Sequence, residues 1–457
     1  MIGPRKALSD TTLYPLWLDD SAAPSAESHL VGRTEADLLI VGGGFTGLWA
    51  AVVAKQRQPG RDVLLIEGGR VAHGASGRPG GIVSTSVMHG LAKAARISPK
   101  DLLALERLGQ ENLDEWARTL SEHGIDADLM TVAVSRGHLP LLKQKYELRR
   151  AHGHDVALLD RADVQAEVAS PIFEGGSWQR GRSGTVHLAK LAWGLRRVAL
   201  ALGVRVHELT PMTNVEDAGA TLVVTTRDGA VRAPRVLFAT NAWGAGHPHI
   251  KRRVAALRDR VIATEPLTPE QLSRVGWAHR QGIYDTRIQL NYMRLTRDNR
   301  IVFGGRVGYF FNDHVDPAPD RRPATYQRLA RSFFKTFPQL DDVRFSHAWS
   351  EPIDMTTRMA VHFQRYYGGK GLWAGGYSGF GVTASRFGAR VGLDILDGVD
   401  APELALDFAR TLPRRIPREP FRWIGAKVTM HALDDVDEKG GWRRHWLDLV
   451  HRMGFPL

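Results

Sequence analysis

Cysteine is absent from this chain of 457 residues. Without thiols the chain has no disulfide, no thiolate metal ligand, no cysteine nucleophile and no cysteinyl bond to a cofactor. Long apolar runs are missing too, since no stretch approaches the roughly 18 to 20 residues that a membrane-spanning helix needs. The first residues also lack the apolar core of a secretory signal peptide. We therefore expect a cytoplasmic protein without a transmembrane segment.

Blocks of like charge are also missing, although the net charge is +12. The positive charge is mostly arginine and is spread along the chain, and no RNA- or DNA-binding motif is recognisable. Nucleic acid is therefore not an expected partner. No histidine pair has the spacing of a zinc site, so no metal is expected. With 43% hydrophobic and 24% charged residues, the composition is that of a globular protein.

A glycine-rich turn follows an apolar run, residues 38–41, near the N-terminus. Gly42 permits a tight strand-to-helix turn, Gly44 lets the backbone approach a pyrophosphate, and Gly47 lets the helix pack on the strand. A second apolar run ends at Glu67, where a carboxylate can accept hydrogen bonds from ribose hydroxyls. This order predicts a dinucleotide site, and the charge of Glu67 disfavours a 2′-phosphate on that ribose.

A second glycine-rich stretch, VAHGASGRPGG at residues 71–81, follows the acid directly. Its small residues let the backbone lie against a bulky ligand, and Ser76 is available to cap a helix that points at a phosphate. An NAD-binding domain would continue into a helix and a strand here. The stretch therefore favours FAD, with a surface loop as the alternative.

Two distant segments complete the pattern. RVLFATNAWG, at residues 235–244, follows a hairpin whose turn is expected at Asp228 and Gly229. GLWAGGYSGFGVTASRFGARVGLDIL, at residues 371–396, predicts a strand, a glycine-rich turn and a long helix. The N-terminus of that helix can stabilise negative charge at the edge of a ligand.

Together these motifs resemble the D-amino-acid oxidase-like (DAO) superfamily of FAD-dependent oxidoreductases. Within it the chain is most similar to the gamma-glutamylputrescine oxidoreductase-like branch, alongside glycine and sarcosine oxidases. The resemblance implies an α/β (α+β) fold, with a Rossmann-like FAD-binding domain of the glutathione-reductase-2 type interleaved with a mixed or antiparallel-sheet substrate domain. Pro79 stands where relatives usually have asparagine. This departure bears on one polar contact near the flavin and not on the fold.

The resemblance also implies which residues hold FAD. The glycine turn lies at the pyrophosphate, Glu67 at the adenosine ribose, the second stretch beside the phosphates and the flavin, and the C-terminal turn at the N1/O2 edge of the flavin. Backbone amides suit that edge because reduced flavin carries negative charge at N1. The full set is Gly42, Gly44, Phe45, Thr46, Gly47, Glu67, Gly68, Ala75, Ser76, Gly77, Arg78, Gly80, Gly81, Thr240, Trp243, Gly376, Gly379, Phe380, Gly381, Val382 and Thr383.

The expected domain division is discontinuous. It comprises an N-terminal segment (1–35), the FAD-binding domain (36–93, 180–245 and 345–400), the substrate domain (94–179 and 246–344) and a basic helical extension (401–457). We expect the extension to form two helices around Gly440 and Gly441 that pack on the FAD-binding domain with their tryptophans buried. Contact with a partner or a membrane surface is the alternative.

Four residues are candidates for the substrate side of the site: Tyr292, Arg294, Trp349 and Tyr377. Strand alternation places Tyr292 and Arg294 on one face, where Arg294 could clamp a carboxylate or phosphonate bidentately. A solvated strand arginine is the alternative for Arg294, and a core aromatic for Tyr377. Weaker candidates are Tyr284, Asp285, Arg287, Asn291, His347, Glu351 and Asp354, together with His73, which could approach the flavin. His89 and His187 are expected to pack or to face solvent.

The resemblance implies oxidation of an amine or an amino acid. In that chemistry a hydride passes from the carbon that bears nitrogen to flavin N5, the imine hydrolyses, and O2 or another acceptor takes the electrons. Polyamine substrates call for acidic residues in the pocket, whereas amino acids or aminophosphonates call for cations such as Arg294. Two alternatives stay open, namely an FAD-dependent hydroxy-acid dehydrogenase that passes electrons to a quinone and a non-catalytic flavin- or RNA-binding accessory protein.

Overall fold

The computed structural model describes residues 2–88, 90–126, 130–136, 139–248, 250–285 and 290–455. Two residues considered from the sequence, His89 and Arg287, lie outside these ranges.

The strands are β1 (Gly32–Glu35), β2 (Leu38–Val41), β3 (Val63–Ile66), β4 (Ile82–Ser84), β5 (Met130–Arg136), β6 (Val156–Leu159), β7 (Gly176–Thr185), β8 (Arg205–His207), β9 (Met212–Ala218), β10 (Thr221–Thr226), β11 (Gly229–Ala233), β12 (Arg235–Phe238), β13 (Ala255–Thr264), β14 (Gly282–Tyr284), β15 (Tyr292–Leu295), β16 (Ile301–Tyr309), β17 (Phe345–Met355), β18 (His362–Tyr366) and β19 (Gly371–Gly375).

The α-helices are α1 (Pro4–Ala7), α2 (Phe45–Arg57), α3 (Leu91–Ile97), α4 (Leu102–Glu122), α5 (Leu139–Ala151), α6 (Arg161–Glu167), α7 (Leu188–Ala201), α8 (Pro269–Val275), α9 (Pro323–Thr336), α10 (Gly381–Asp397), α11 (Asp407–Arg410), α12 (Phe421–Lys439) and α13 (Trp442–Arg452).

The N-terminal glycine motif lies at the centre of a largely parallel sheet. In the described residues its strand order is β18-β19-β12-β2-β3-β8, and β18 alone runs antiparallel to its neighbour. Every residue of β2 and β3 is buried, because helices α2, α7 and α10 cover one face and a smaller sheet covers the other. Continuous apolar runs are what a parallel sheet covered on both faces requires.

The smaller sheet has the order β1-β11-β10-β9 in the described residues. Strands β10 and β11 pair antiparallel, with Leu222 opposite Ala233 and Thr225 opposite Ala230. The expected hairpin is therefore confirmed, but its turn lies one residue earlier than expected, at Arg227 and Asp228, because Gly229 is already the first residue of β11. Its buried leucine and valine side chains pack on the parallel sheet and fix that sheet's outer face.

A large mixed sheet forms the second half of the molecule. Its order in the described residues is β17-β13-β16-β15-β14-β5-β7-β4, and β6 also pairs with β7. Helix α9 packs beneath it through an aromatic core in which the rings of Phe303 and Phe333 meet at 5.7 Å. Strand β17 lies in this sheet, although residues 345–400 were expected in the FAD-binding domain. The reason is its antiparallel pairing along nearly the whole length of β13.

The C-terminal extension forms the two expected helices, α12 and α13, which we call the C-terminal hairpin (421–452). The expectation that they pack on the FAD-binding domain is wrong. Strand β16 of the large sheet holds α12, since Arg306 Nη1 lies 2.5 Å from Asp434 Oδ1. The expected burial of the tryptophans also fails, because Trp423 is 37% exposed and Trp442 is 48% exposed.

No helix among the described residues combines the length and the apolar character needed to cross a bilayer.

The packing of the glycine turn generates a first prediction, Gly47→Ala. A Cβ at this position would lie 1.9 Å from the carbonyl oxygen of Gly42, in the backbone of the turn itself. We expect a destabilisation of at least roughly 1–3 kcal/mol, as for other overpacked sites, measured as the free energy of unfolding in urea. Gly60→Ala is the matched control because its Cβ would meet nothing within 4 Å. Equal stability of the two variants would contradict this packing.

Candidate functional site

A cavity of about 720 Å³, the first cavity, opens at the carboxyl edge of the parallel sheet. Its lining includes Val41, Ile66 and Phe238, which are the last residues of β2, β3 and β12. Parallel sheets bind ligands at this edge because strand ends and helix N-termini meet there.

The glycine turn forms one wall of the first cavity. Gly42 has φ +115°, and a Cβ on it would lie 2.6 Å from the carbonyl oxygen of Ala239. A Cβ on Gly44 would lie 2.9 Å from Ser76 Oγ. The hydroxyl of Ser76 accepts a hydrogen bond of 2.8 Å from the backbone N–H of Phe45, the first residue of α2. Ser76 therefore stands at a helix N-terminus, as the sequence predicts.

Glu67 is fixed at the end of β3 by the backbone. Its carboxylate accepts hydrogen bonds from the N–H groups of Gly43, at 2.6 Å, and Gly69, at 2.8 Å. Burial raises the pKa of Glu67, and these two hydrogen bonds oppose that rise. The carboxylate thus ties the glycine turn to the loop after β3 and stays at the cavity wall.

The C-terminal glycine turn forms the opposite wall, and a buried carboxylate shapes it. Asp354 accepts hydrogen bonds from the N–H groups of Gly376, at 2.5 Å, and Ser378, at 3.1 Å. Burial raises the pKa of Asp354 to about 6. Gly376 and Gly379 have φ of +89° and +94°, which favour glycine. Helix α10 begins two residues later, so its N-terminus faces the cavity.

One hydrogen bond links the two glycine turns. The hydroxyl of Thr46 donates to the hydroxyl oxygen of Tyr377 over 2.9 Å, and both residues are buried in the wall of the first cavity. This hydrogen bond therefore holds the two glycine turns, whose linked residues are 331 positions apart, on opposite walls of the first cavity.

A second cavity of about 570 Å³ lies beside the first. The two share five lining residues, which we call the junction: Pro79, Glu351, Ile353, Gly379 and Val382. Strands of the large sheet and the C-terminal hairpin enclose the second cavity, and most of its lining is apolar.

Two carboxyl groups meet where the second cavity adjoins the junction, that of Glu351 in the junction and that of Asp259 beside it. Asp259 on β13 and Glu351 on β17 are cross-strand partners that hydrogen-bond to each other, and they are 9% and 1% exposed. Asp259 also accepts from the hydroxyl of Tyr292, at 2.8 Å, and from the N–H of Arg260, at 3.0 Å. Burial raises the pKa of Asp259 to about 6, and burial raises the pKa of Glu351 well above its usual range. The pair therefore holds a proton near neutral pH.

Most residues predicted from the sequence line one or both cavities. The first cavity contains Gly42, Gly44, Phe45, Thr46, Glu67, Gly68, Ala75, Ser76, Thr240, Trp243, Tyr377, Gly379, Gly381 and Val382. The second contains Gly80, Gly81, Tyr292, Gly379, Phe380, Val382 and Thr383. Six predicted residues line neither cavity: Gly47, Gly77, Arg78, Arg294, Trp349 and Gly376.

Arg294 does not reach the space where it was expected to clamp a substrate. It is 1% exposed, its Nη1 donates to the carbonyl oxygen of Val186 at 2.7 Å, and its guanidinium lies 5.1 Å from the ring of Trp17. Nη1 would also lie 3.0 Å from a Cβ on Gly81. Arg294 therefore supports the backbone behind Gly80 and Gly81, and the alternative of a solvated arginine is wrong as well.

Trp349 and Arg78 act in the same supporting way. The indole N–H of Trp349 donates to the carbonyl oxygen of Arg78 at 2.7 Å. Arg78 in turn donates to the carbonyl oxygens of His73 and Ser350, at 2.7 and 2.9 Å. These bonds fix the loop between the two cavities from behind.

Two histidines considered from the sequence, His73 and His187, have different roles in the structure. His73 lines the first cavity beside Gly69 and Gly74, and burial lowers its pKa to about 4, so the ring is neutral. His187 caps α7 by accepting from the N–H of Lys190 at 3.3 Å, which is the packing role expected.

The sequence did not indicate the role of Asp259 or the part that the C-terminal hairpin takes in lining the second cavity. Asp259 stands between Arg258 and Arg260, just before the apolar stretch VIAT, and the flanking arginines make it resemble part of a surface ion pair. Nothing local reveals that its partner is Glu351, because the contact depends on strand pairing.

The family follows from a comparison with known proteins. A family model described as FAD dependent oxidoreductase (DAO) matches residues 37–392. The chain belongs to this FAD-dependent oxidoreductase family. The family's cofactor is FAD, and the expectation from the sequence motifs is confirmed.

Two curated relatives are similar over most of the chain. Gamma-glutamylputrescine oxidoreductase of Escherichia coli (strain K12) is 30% identical over 414 residues, covering 85% of this chain and 91% of the relative. A probable oxidoreductase, OrdL, of Haemophilus influenzae is 28% identical over 377 residues, covering 80% and 84%. Among solved structures, glycine oxidase from Geobacillus kaustophilus has a TM-score of 0.68 at 18% identity, covering 84% of this chain and all (100%) of that chain. This last likeness confirms the fold.

The first cavity fits FAD by its own chemistry. It has a glycine turn too tight for a Cβ, a helix N-terminus and a fixed carboxylate at a strand end, which suit a pyrophosphate and a ribose. A second helix N-terminus, that of α10, faces the junction and suits the electron-rich edge of a flavin.

Glu67→Gln tests this assignment. The amide nitrogen cannot accept the hydrogen bond that a carboxylate oxygen takes from Gly43 or Gly69. We expect FAD to bind roughly 10- to 100-fold more weakly, since a hydrogen bond to a charged group contributes roughly 1.5–3 kcal/mol. Quenching of flavin fluorescence on titration measures the dissociation constant.

The control is Glu216→Gln, an exposed carboxylate on β9 outside the lining of both cavities. Unchanged FAD affinity in the Glu67 variant would contradict the proposed ribose end of the site.

Proposed function

We propose that this protein uses FAD to oxidise the C–N bond of an amine or amino acid and returns the electrons to O2 as H2O2. The observation that supports this most directly is the junction. A cofactor in the first cavity would meet a ligand in the second through the five residues that both cavities share. The relatives agree, since proteins similar to this chain are named for gamma-glutamylputrescine, glycine and L-amino acids.

When bound, FAD would supply a two-electron acceptor for the hydride of the carbon that bears the neutral amine. Water would then hydrolyse the resulting iminium ion to a carbonyl compound and a freed amine. The chain supplies position and proton control. Asp354 holds the turn at Gly376 and Ser378, so that Gly379 and the first amides of α10 stay at the junction. Negative charge that develops there is stabilised by those amides.

The C-terminal hairpin encloses the second cavity, in which the substrate would lie. Met430, Leu433 and Trp446 of the hairpin line this cavity together with strand residues. Exclusion of water there protects the iminium ion until it leaves the apolar lining and strengthens each electrostatic contact with the substrate.

The first test is anaerobic mixing of the FAD-loaded protein with amines, N-methyl amino acids, amino acids and 2-hydroxy acids. We expect an amine or amino acid to bleach the absorbance of oxidised flavin, and air to restore it with formation of one H2O2 per flavin. A peroxidase-coupled dye measures the peroxide.

Bleaching by 2-hydroxy acids and by none of the amines would overturn the proposed reaction in favour of hydroxy-acid oxidation. Recovery that needs a quinone analogue and fails in air would overturn the choice of O2 as electron acceptor. Buffer without substrate is the control for photochemical bleaching.

A further inference from the structure

The second cavity carries a chemical signature that narrows the substrate class. Its acidic lining residues are Asp259 and Glu351, and among the described residues no N–H group and no hydroxyl group donates to the buried Glu351 Oε2. The only hydrogen bond found for the Glu351 carboxyl is the one it shares with Asp259. A buried oxygen without such a donor costs free energy unless a ligand donor satisfies it. This oxygen belongs to a residue that lines both cavities, where the reacting nitrogen of a substrate would lie.

The cations that line the second cavity are already paired. Arg306 lies 2.5 Å from Asp434, and Arg422 forms an ion pair with Asp313. Arg294, which sequence reasoning would use for a carboxylate, lies outside the cavity. Among the described lining residues, a substrate carboxylate therefore meets no arginine without a carboxylate partner. An ammonium group meets the Asp259 and Glu351 pair.

The rest of the second cavity's lining is mostly apolar and is formed by strands of the large sheet and by the C-terminal hairpin. Strand residues such as Leu257 and Met355 contribute one side. The C-terminal hairpin contributes Met430, Leu433 and Trp446, held on the sheet by the ion pairs of α12. An apolar pocket with a small number of polar groups selects a ligand that has an apolar body and one polar end.

We propose that the substrate is an amine without a carboxylate near its nitrogen, bound as an ammonium ion by the Asp259 and Glu351 pair with its apolar body against the C-terminal hairpin. This rests on the amine oxidation proposed above. The ammonium proton passes to Glu351 Oε2 while the proton between the two carboxyls moves to Asp259. The pair thereby changes from one negative charge to none, and the amine becomes neutral, as hydride loss requires.

The charges around the pair are compatible with this role. Tyr292 donates to Asp259, and Arg260 lies beside it but forms its own ion pair with Asp320 at 3.2 Å. Burial and the charge of Asp259 raise the pKa of Glu351 well above its usual range, and the nearby charge of Arg78 opposes that rise only in part. Arg306 and Arg422 from β16 and α12 are paired as described, and Tyr284 from β14 is neutral because burial raises its pKa.

The test uses 1-adamantylamine, a primary amine whose α-carbon has no hydrogen and which therefore binds without reacting. Calorimetric titration of the FAD-loaded protein compares it with 1-adamantanol and 1-adamantanecarboxylate, which have the same apolar body. We expect the amine to bind more tightly than the alcohol and the carboxylate to bind most weakly. Tighter binding of the carboxylate than of the amine would overturn the proposal.

The variants separate charge from shape. Asp259→Asn/Glu351→Gln should weaken binding of the amine by at least roughly tenfold, as for a buried charge that loses its partner, and leave the alcohol little changed. The alcohol thus reports that the cavity is intact in the variant. Asp394→Asn, a buried carboxylate on α10 outside both cavities, is the matched control. Equal loss for amine and alcohol, or no loss for either, would overturn the role of the pair.

The hairpin has its own matched variants. Leu433→Ala removes part of the apolar wall and should weaken the amine and the alcohol alike, whereas Leu449→Ala, on an exposed position of α13, should change neither. Unchanged affinity in the Leu433 variant would overturn the placement of the apolar body.

The pH dependence of the same titration has a definite sign. Asp259 has a pKa raised to about 6, so the pair keeps its negative charge above that pH and loses it below. Affinity for 1-adamantylamine should therefore fall as the pH drops from 7.5 to 5, because the pair loses the negative charge that attracts the ammonium ion. The alcohol should bind equally across this range. An affinity for the amine that rises towards pH 5 would overturn the proposal.

Failure of this proposal and failure of the proposed function would give different experimental results. If amines reduce the flavin but the double variant binds 1-adamantylamine as wild type does, the carboxyl pair is not the recognition site and amine oxidation stands. If the amine binds through the pair and yet no oxidisable amine reduces the flavin, the recognition stands and the proposed reaction fails.

Discussion

The pairing of β13 with β17 is the constraint on which the site depends. It runs from Ala255 opposite Met355 to Thr264 opposite Phe345, and Glu351 and Ile353 of β17 line both cavities. Three carboxyl groups are placed by this one ladder. Asp259 and Glu351 face each other across it, and Asp354 reaches from it to the C-terminal glycine turn. A shift of the register by one residue would turn these side chains to the opposite face of the sheet.

Two carboxyl groups three residues apart on β17, Glu351 and Asp354, have different roles. Asp354 is fully enclosed and satisfied by backbone N–H groups, so its carboxylate shapes a turn. Glu351 is also enclosed, but within the described residues no N–H or hydroxyl group donates to its Oε2, and its carboxyl shares a hydrogen bond only with that of Asp259. Burial raises the pKa of both groups. The difference in hydrogen bonding, not in burial, separates a carboxyl group with a structural role from one that is open to a ligand.

Local sequence predicted much of the cofactor end of the molecule. Gly42, Gly44 and Glu67 lie within 26 residues, and the turn, helix and strand they belong to follow from backbone sterics and helix electrostatics. The same holds for the turn at Gly376 and Gly379, where positive φ demands glycine. These features need no knowledge of distant contacts, which is why they could be predicted.

The substrate end could not be predicted in the same way. Arg294 alternates correctly with Tyr292 along β15, yet carbonyl oxygens from other segments engage its guanidinium and keep it out of the cavity. The role of Asp259 depends on Glu351, which lies 92 positions later on β17. The C-terminal hairpin packs on the large sheet through contacts such as the ion pair of Asp434 with Arg306. Each of these depends on contacts between residues far apart in the chain, which alternation and composition do not encode.

A crystal structure of the FAD-loaded protein with 1-adamantylamine would test the proposed site most directly. We expect the flavin ring system at the junction and the ligand nitrogen within hydrogen-bond distance of Glu351 Oε2. We expect the adamantyl group to pack against Leu433 and Trp446. A flavin that lies away from Glu351 and Gly379, or a ligand whose nitrogen points away from the carboxyl pair, would contradict it.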